Sequence, residues 1–89
     1  MDEYELVRRI RPLPDQFAAR LDESTNRGLQ SMSSGGEWDE LMDLLVAALD
    51  VDGVVVTPAE QQELRELLEA MDMPTDRLER IRVAESAGN

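Results

Sequence analysis

Residues 36–50, Gly36-Glu37-Trp38-Asp39-Glu40-Leu41-Met42-Asp43-Leu44-Leu45-Val46-Ala47-Ala48-Leu49-Asp50, decide how this chain folds. Ahead of them, Ser33-Ser34-Gly35-Gly36 is the clearest loop in the sequence. Glu37, Asp39 and Glu40 then place three carboxylates in a first turn, where the helix dipole favours negative charge. A helix starts there. Trp38, Leu41, Met42, Leu44, Leu45, Val46, Ala47, Ala48 and Leu49 wrap more than half of its circumference after the first turn, the pattern of a buried helix. Glu37, Glu40 and Asp43 remain as its exposed stripe. The other elements have to be arranged around this one.

Downstream, Asp50-Val51-Asp52-Gly53 supplies a turn in which Gly53 can take the left-handed conformation that often ends a helix. Val54-Val55-Val56 reads as a buried crossing segment, with a short edge strand as the alternative. Thr57-Pro58-Ala59-Glu60 is the strongest local signal. It combines a hydroxyl N-cap, proline at the first helical position and a glutamate three residues after the cap, which together form a capping box. Leu64, Leu67, Leu68 and Met71 make one face of the helix that follows, and Gln62, Glu66 and Glu69 the opposite one. Pro74 ends it. Thr75 can then cap a last short helix carrying Leu78 and Ile81.

Upstream, Tyr4, Val7 and Ile10 recur at i, i+3 and i+6, and Pro12 and Pro14 stop this first helix near Arg11. Pro14 suits the first turn of a second helix, with Asp15 near its positive end and Phe17, Ala18 and Leu21 on one face. That helix either continues or restarts through Ser24-Thr25-Asn26, because Leu29 and Met32 stay roughly in phase and Gly28 interrupts. The expected fold is all-α, a compact bundle of four to five short helices. Residues 1–85 form a single acidic helical domain, with residues 86–89 a frayed tail.

A chain of 89 residues, 42% hydrophobic and 33% charged, can bury one modest core and is too rich in Leu, Val and Met to be a disordered acidic tail. Without cysteine or histidine it has no disulfide, no thiolate nucleophile, no imidazole base and no Cys- or His-based metal site. No catalytic, cofactor-binding or metal-ligating residue is expected. The start of the sequence lacks the basic and apolar regions of a signal peptide, and no apolar run approaches the roughly 20 residues of a membrane span. These features predict a cytoplasmic protein with no membrane association.

Charge is the feature that speaks to function. Between Glu37 and Asp72 there are eleven acids and a single cation, Arg65, so this segment carries ten of the chain's eleven net negative charges. A concentrated charge of one sign attracts and orients a partner of the other sign, at the expense of internal repulsion. Relief from within is the competing explanation, because Arg8, Arg9, Arg11, Arg77, Arg80 and Arg82 lie on the flanking segments. The overall sign repels phosphates and the arginines are scattered among acids, which argues against direct nucleic-acid binding. The expected contact acids are Glu37, Asp39, Glu40, Asp43, Asp50, Asp52, Glu63 and Glu66. Trp38 belongs either to the core or to an interface as an anchor.

Two familiar sites fail on inspection. Aligning Gly53 with the sixth position of a calcium-binding EF-hand loop puts Ala48 at position one and Ala59 at position twelve, where ligands are required. An acyl carrier needs a serine at a helix start within an Asp-Ser-Leu sequence, and Glu23-Ser24-Thr25 matches it poorly. The acids alone, without a nucleophile or metal motif, do not make an enzyme.

From Gly36-Glu37-Trp38 through the apolar helix to Leu49, the capped stretch Val51 to Glu60, and Leu64-Arg65-Glu66-Leu67-Leu68-Glu69-Ala70-Met71, the chain resembles the MafI-like immunity proteins of bacterial polymorphic toxin systems. The likeness covers about residues 36–82. Asp72 stands where that pattern leads one to expect glycine. The resemblance implies an all-helical inhibitor that binds a cognate toxin domain with a basic surface, such as a nuclease or deaminase, as a 1:1 heterodimer. The alternative is an acidic regulatory adaptor, or a nucleic-acid mimic, that sequesters a basic host protein.

Overall fold

Helix α4, Trp38–Val51, is the centre of the computed structural model, which describes residues 1–85. Its Leu41, Met42, Leu45, Val46 and Leu49 are all buried, more than any other helix contributes. Around it lie α1 (Glu3–Ile10), α2 (Leu13–Phe17), α3 (Glu23–Ser34) and α5 (Pro58–Ala70). Two 3₁₀ turns, Ala18–Arg20 and Asp76–Arg80, join them, and the strands β1 (Val55–Val56) and β2 (Arg82–Val83) complete the order. Five short α-helices and a minimum of strand make an all-α bundle. The radius of gyration is 12.6 Å, against about 12 Å for a folded chain of this length. Leu64, Leu67 and Leu68 of α5, Phe17 of α2, Leu29 of α3 and Leu78 of the last turn close the core, and among the described residues no polar or charged one is buried in it.

The helix boundaries follow from their caps. Asp2 and Asp22 accept hydrogen bonds from the amides of Glu5 and Thr25, at 2.8 and 2.7 Å, and so start α1 and α3. The chain therefore restarts after α2 instead of continuing, with Asp22 as the cap and Ser24 inside the first turn. The capping box of α5 is present in both directions: the Glu60 amide donates to Thr57 Oγ1 at 3.0 Å and the Thr57 amide to Glu60 Oε1 at 2.9 Å.

The C-terminal ends of α3, α4 and α5 share one device. In each, a residue of positive φ lets two amides turn back onto the last carbonyls: Gly36 (φ 69°), Gly53 (φ 63°) and Asp72 (φ 60°). Glu37, Val54 and Met73 then donate to the carbonyls of Met32, Leu49 and Leu68, at 2.8, 3.0 and 2.9 Å. Asp72 thus does what glycine does at the other two ends, and α5 stops there. Gly28 answers a different need. A Cβ at this position would sit 3.1 Å from Leu44 Cδ2, so its absence lets α3 lie close against α4.

Four expectations are corrected. Ser33 and Ser34 are not loop but the last turn of α3, which leaves Gly35, Gly36 and Glu37 between it and α4. Thr75 precedes a 3₁₀ turn without a side-chain capping bond, and Ile81 lies just past the end of that turn. Tyr4 is 80% exposed and does not share the buried face of α1, which is formed by Leu6 and Ile10. Steps of three residues drift about 60° each around a helix, which carries Tyr4 well away from Ile10, whereas Leu6 lies within about 40° of it. Val54-Val55-Val56 is not simply a buried crossing segment. Val55 and Val56 pair in parallel with Arg82 and Val83, and Ala84 donates to the Val56 carbonyl at 2.8 Å. Val56 is 1% exposed and Val55 48%, the alternation of a strand with one covered face. Residues 86–89, expected to fray, lie outside the described residues.

Candidate partner-binding surface

The eight acids expected to contact a partner divide into two groups. Glu63 and Glu66 stand one turn apart on α5, where Arg9 of α1 reaches both. Its Nε donates to Glu63 Oε2 at 3.0 Å, its Nη2 to Glu63 Oε1, and the same Nη2 to Glu66 Oε1 at 2.7 Å. Gln62 adds a bond to Glu66 Oε2 at 3.1 Å. Arg9 first, and Gln62 after it, hold the Glu66 carboxyl below its ordinary range, while the two carboxylates raise Arg9. Asp50, with a side chain 18% exposed, accepts from Arg80 Nε at 3.1 Å. These three acids are therefore ion-paired within the chain.

Glu37, Asp39, Glu40, Asp43 and Asp52 have no ion pair among the described residues, and all five are exposed. Glu37 occupies the N-cap position of α4 without a side-chain capping bond, and Asp39 and Glu40 lie in the first turn beside the helix's positive end. Asp43 is one turn further along, four residues from Asp39 and three from Glu40, so these side chains share one flank. Asp52 caps the other end of α4, roughly 20 Å away at 1.5 Å per residue, and does not belong to the same patch. Trp38 is half-buried against the core, with the Arg11 guanidinium 5.8 Å from its ring centroid. It is a bracket between α1 and α4 at the edge of the acidic flank.

No protein-family model, curated protein or solved structure matches this chain. Its chemistry has to be read from the side chains themselves. Of the eleven acids between residues 37 and 72, Asp50, Glu60, Glu63 and Glu66 are paired with arginines from other elements. Among the described residues, Arg9 and Arg80 are the two of the six flanking arginines that relieve the block. Arg20, which sequence reasoning did not assign to this task, takes Glu60. The acids of this block that have no ion pair among the described residues are concentrated at the start of α4 and at the ends of α4 and α5.

Among the described residues no three carboxylates converge into a group able to hold a metal ion, and no helix is long and apolar enough to cross a membrane. The turn at Asp50–Gly53 is occupied by the Arg80 ion pair and by the end of α4. What the flank can do is present a fixed array of carboxylates from a rigid helix. Asp76 and Arg77, missed by the sequence reading, lie near the end of that array. They follow Pro74-Thr75 outside the acidic block, and only the packing of the last turn on α4 brings them to Asp43.

Proposed function

We propose that this protein inhibits a basic protein domain by stoichiometric binding, as an immunity protein neutralises its cognate toxin. The observation that carries the reading is the exposed flank of Glu37, Asp39, Glu40 and Asp43, left without a cation while the acids of α5 facing α1 are paired internally. Four carboxylates held on one side of a helix repel one another, and a cationic surface placed against them removes that repulsion. Such a field speeds encounter and fixes orientation, which suits capture of a toxin before it acts. Domains that act on nucleic acid carry basic grooves, so a nuclease or deaminase is the class of partner that fits, in a 1:1 complex within the producing cell. The resemblance to MafI-like immunity proteins points the same way. Membership of that class calls for binding and for no chemistry, in keeping with the residue types available.

Growth rescue tests this directly. The C-terminal domain encoded by the gene immediately upstream is expressed with and without this protein. Toxicity relieved only by co-expression supports the proposal. Toxicity that this protein does not relieve, or no toxicity at all, transfers the weight to an adaptor that sequesters a basic host protein.

A further inference from the structure

Where the 3₁₀ turn Asp76–Arg80 packs beside α4, the two enclose a groove of about 350 Å³. Val46, Leu68 and Met73 form its floor, and Asp43, Asp76 and Arg77 stand on its rim. Arg80 is also present, but its Nε is given to Asp50. Asp43, Asp76 and Arg77 have no ion pair or side-chain hydrogen bond among the described residues. The unengaged rim charge is thus two carboxylates against one guanidinium, inside the field of a protein with a net charge of −11. The floor is aliphatic and thioether, without an aromatic ring or a buried polar group.

This combination selects a particular kind of side chain. An apolar floor takes methylenes, and a carboxylate rim takes the charged head that ends them. We infer that the groove is the seat of a single arginine side chain of the partner, its stem on Val46, Leu68 and Met73 and its guanidinium at Asp43 and Asp76. The inference rests on the reading of the partner as a basic domain and names the anchor that reading lacks. Arginine fits better than lysine because its planar fork can meet two acceptors while remaining more weakly hydrated. Asp43 belongs both to the groove and to the acidic flank of α4, so the steering surface and the anchor site are continuous. Arginine is among the residue types enriched where binding energy concentrates, although a rim this exposed limits what each carboxylate adds.

The test uses the full ¹⁵N-labelled chain titrated with N-acetyl-arginine amide, with N-acetyl-citrulline amide as the uncharged isostere and N-acetyl-glutamate amide as the opposite charge. Saturable amide shifts centred on Asp43, Val46, Met73 and Asp76, given by the arginine derivative alone, are expected. Asp43→Asn and Asp76→Asn should each weaken binding about threefold, the scale of a solvent-exposed ion pair, and Arg77→Gln should tighten it about twofold by removing a like charge. Dispersed amide spectra of the variants verify their folding. Equal binding of citrulline, preference for glutamate, or shifts centred on Asp39 and Glu40 instead of the groove would each overturn the assignment. Failed growth rescue with intact arginine binding would count against the inhibitor reading and leave the groove standing. Successful rescue with no arginine binding removes the groove alone.

Discussion

Glu60 is the residue whose loss should be felt most widely. Its carboxylate accepts four hydrogen bonds: from the Thr57 amide at 2.9 Å, from Arg20 Nη1 and Nη2 at 2.9 and 2.7 Å, and from Gln16 Nε2 at 2.9 Å. One side chain therefore caps α5 and ties it to the end of α2 and the turn after it. Arg20, also lying over the Phe17 ring at 4.6 Å, is the main reason the Glu60 carboxyl is held down to about 2, with the Thr57 amide and Gln16 adding to it. Measured from the ordinary 4.5, at roughly 1.4 kcal/mol per pH unit, the ceiling on this contribution is about 3 kcal/mol. The Glu60 side chain is only 12% exposed but Arg20 is 34% exposed, and screening by water brings the expectation to about 2 kcal/mol. Glu60→Gln keeps the shape and turns two acceptor positions into donors facing Arg20 and Gln16. It should lower stability at pH 7 by about 2 kcal/mol, or roughly 8–16 °C in melting temperature for a domain of this size. Because the folded value lies below the unfolded one, this stability is complete above about pH 4.5 and is lost as pH falls through about 2. Urea unfolding followed by circular dichroism at pH 7, 4 and 2 reads the difference between wild type and variant. A gap below about 0.5 kcal/mol at pH 7, or one that stays constant down to pH 2, would refute the reasoning.

Three further outcomes follow from the same geometry. Replacing Glu37, Asp39 and Glu40 together by glutamine should slow association with the proposed basic partner severalfold at low ionic strength and leave the fold intact; stopped-flow rates across a salt series, with circular dichroism of the variant, check this. Asp72→Gly should raise stability by about 1 kcal/mol, because glycine takes the φ of 60° without the strain of a side chain, and Asp72→Ala should not; thermal melts of both variants decide it. Arg9→Met keeps most of the packing but strands Glu63 and Glu66 together, so it should cost about 1–2 kcal/mol in urea unfolding at pH 7.

The fold was largely legible because its elements are set by local signals. The Gly35-Gly36 break, the Thr57–Glu60 box and the apolar run from Leu44 to Leu49 each act within a few residues, and the helices they define are present. Tyr4 misled because a three-residue period fits two adjacent faces of a short helix, and the choice between them is made by what Ile10 and Arg9 meet on other elements. The pairing of Val55–Val56 with Arg82–Val83 joins segments too far apart in sequence for any local pattern to announce it. The candidate surface was legible as a charge total and illegible as a map. Nothing in the spacing of Glu63 and Glu66 says that Arg9 will reach both, and nothing in Arg20 says that it will reach Glu60. Those pairings are tertiary facts, and they alone separate the acids bound within the chain from the acids left to the outside.

The Arg9 clasp has a consequence for how such a protein can change. The acids it holds on α5 cannot be altered without disturbing the attachment of α1, so a substitution there is tested first by folding. Those at the start of α4 tie no other element in place among the described residues, and their number and position can vary at the cost only of their interaction with the helix dipole. A lineage carrying this scaffold is therefore free to diversify its choice of partner on one helix flank, while a separate set of like residues preserves the architecture that presents it.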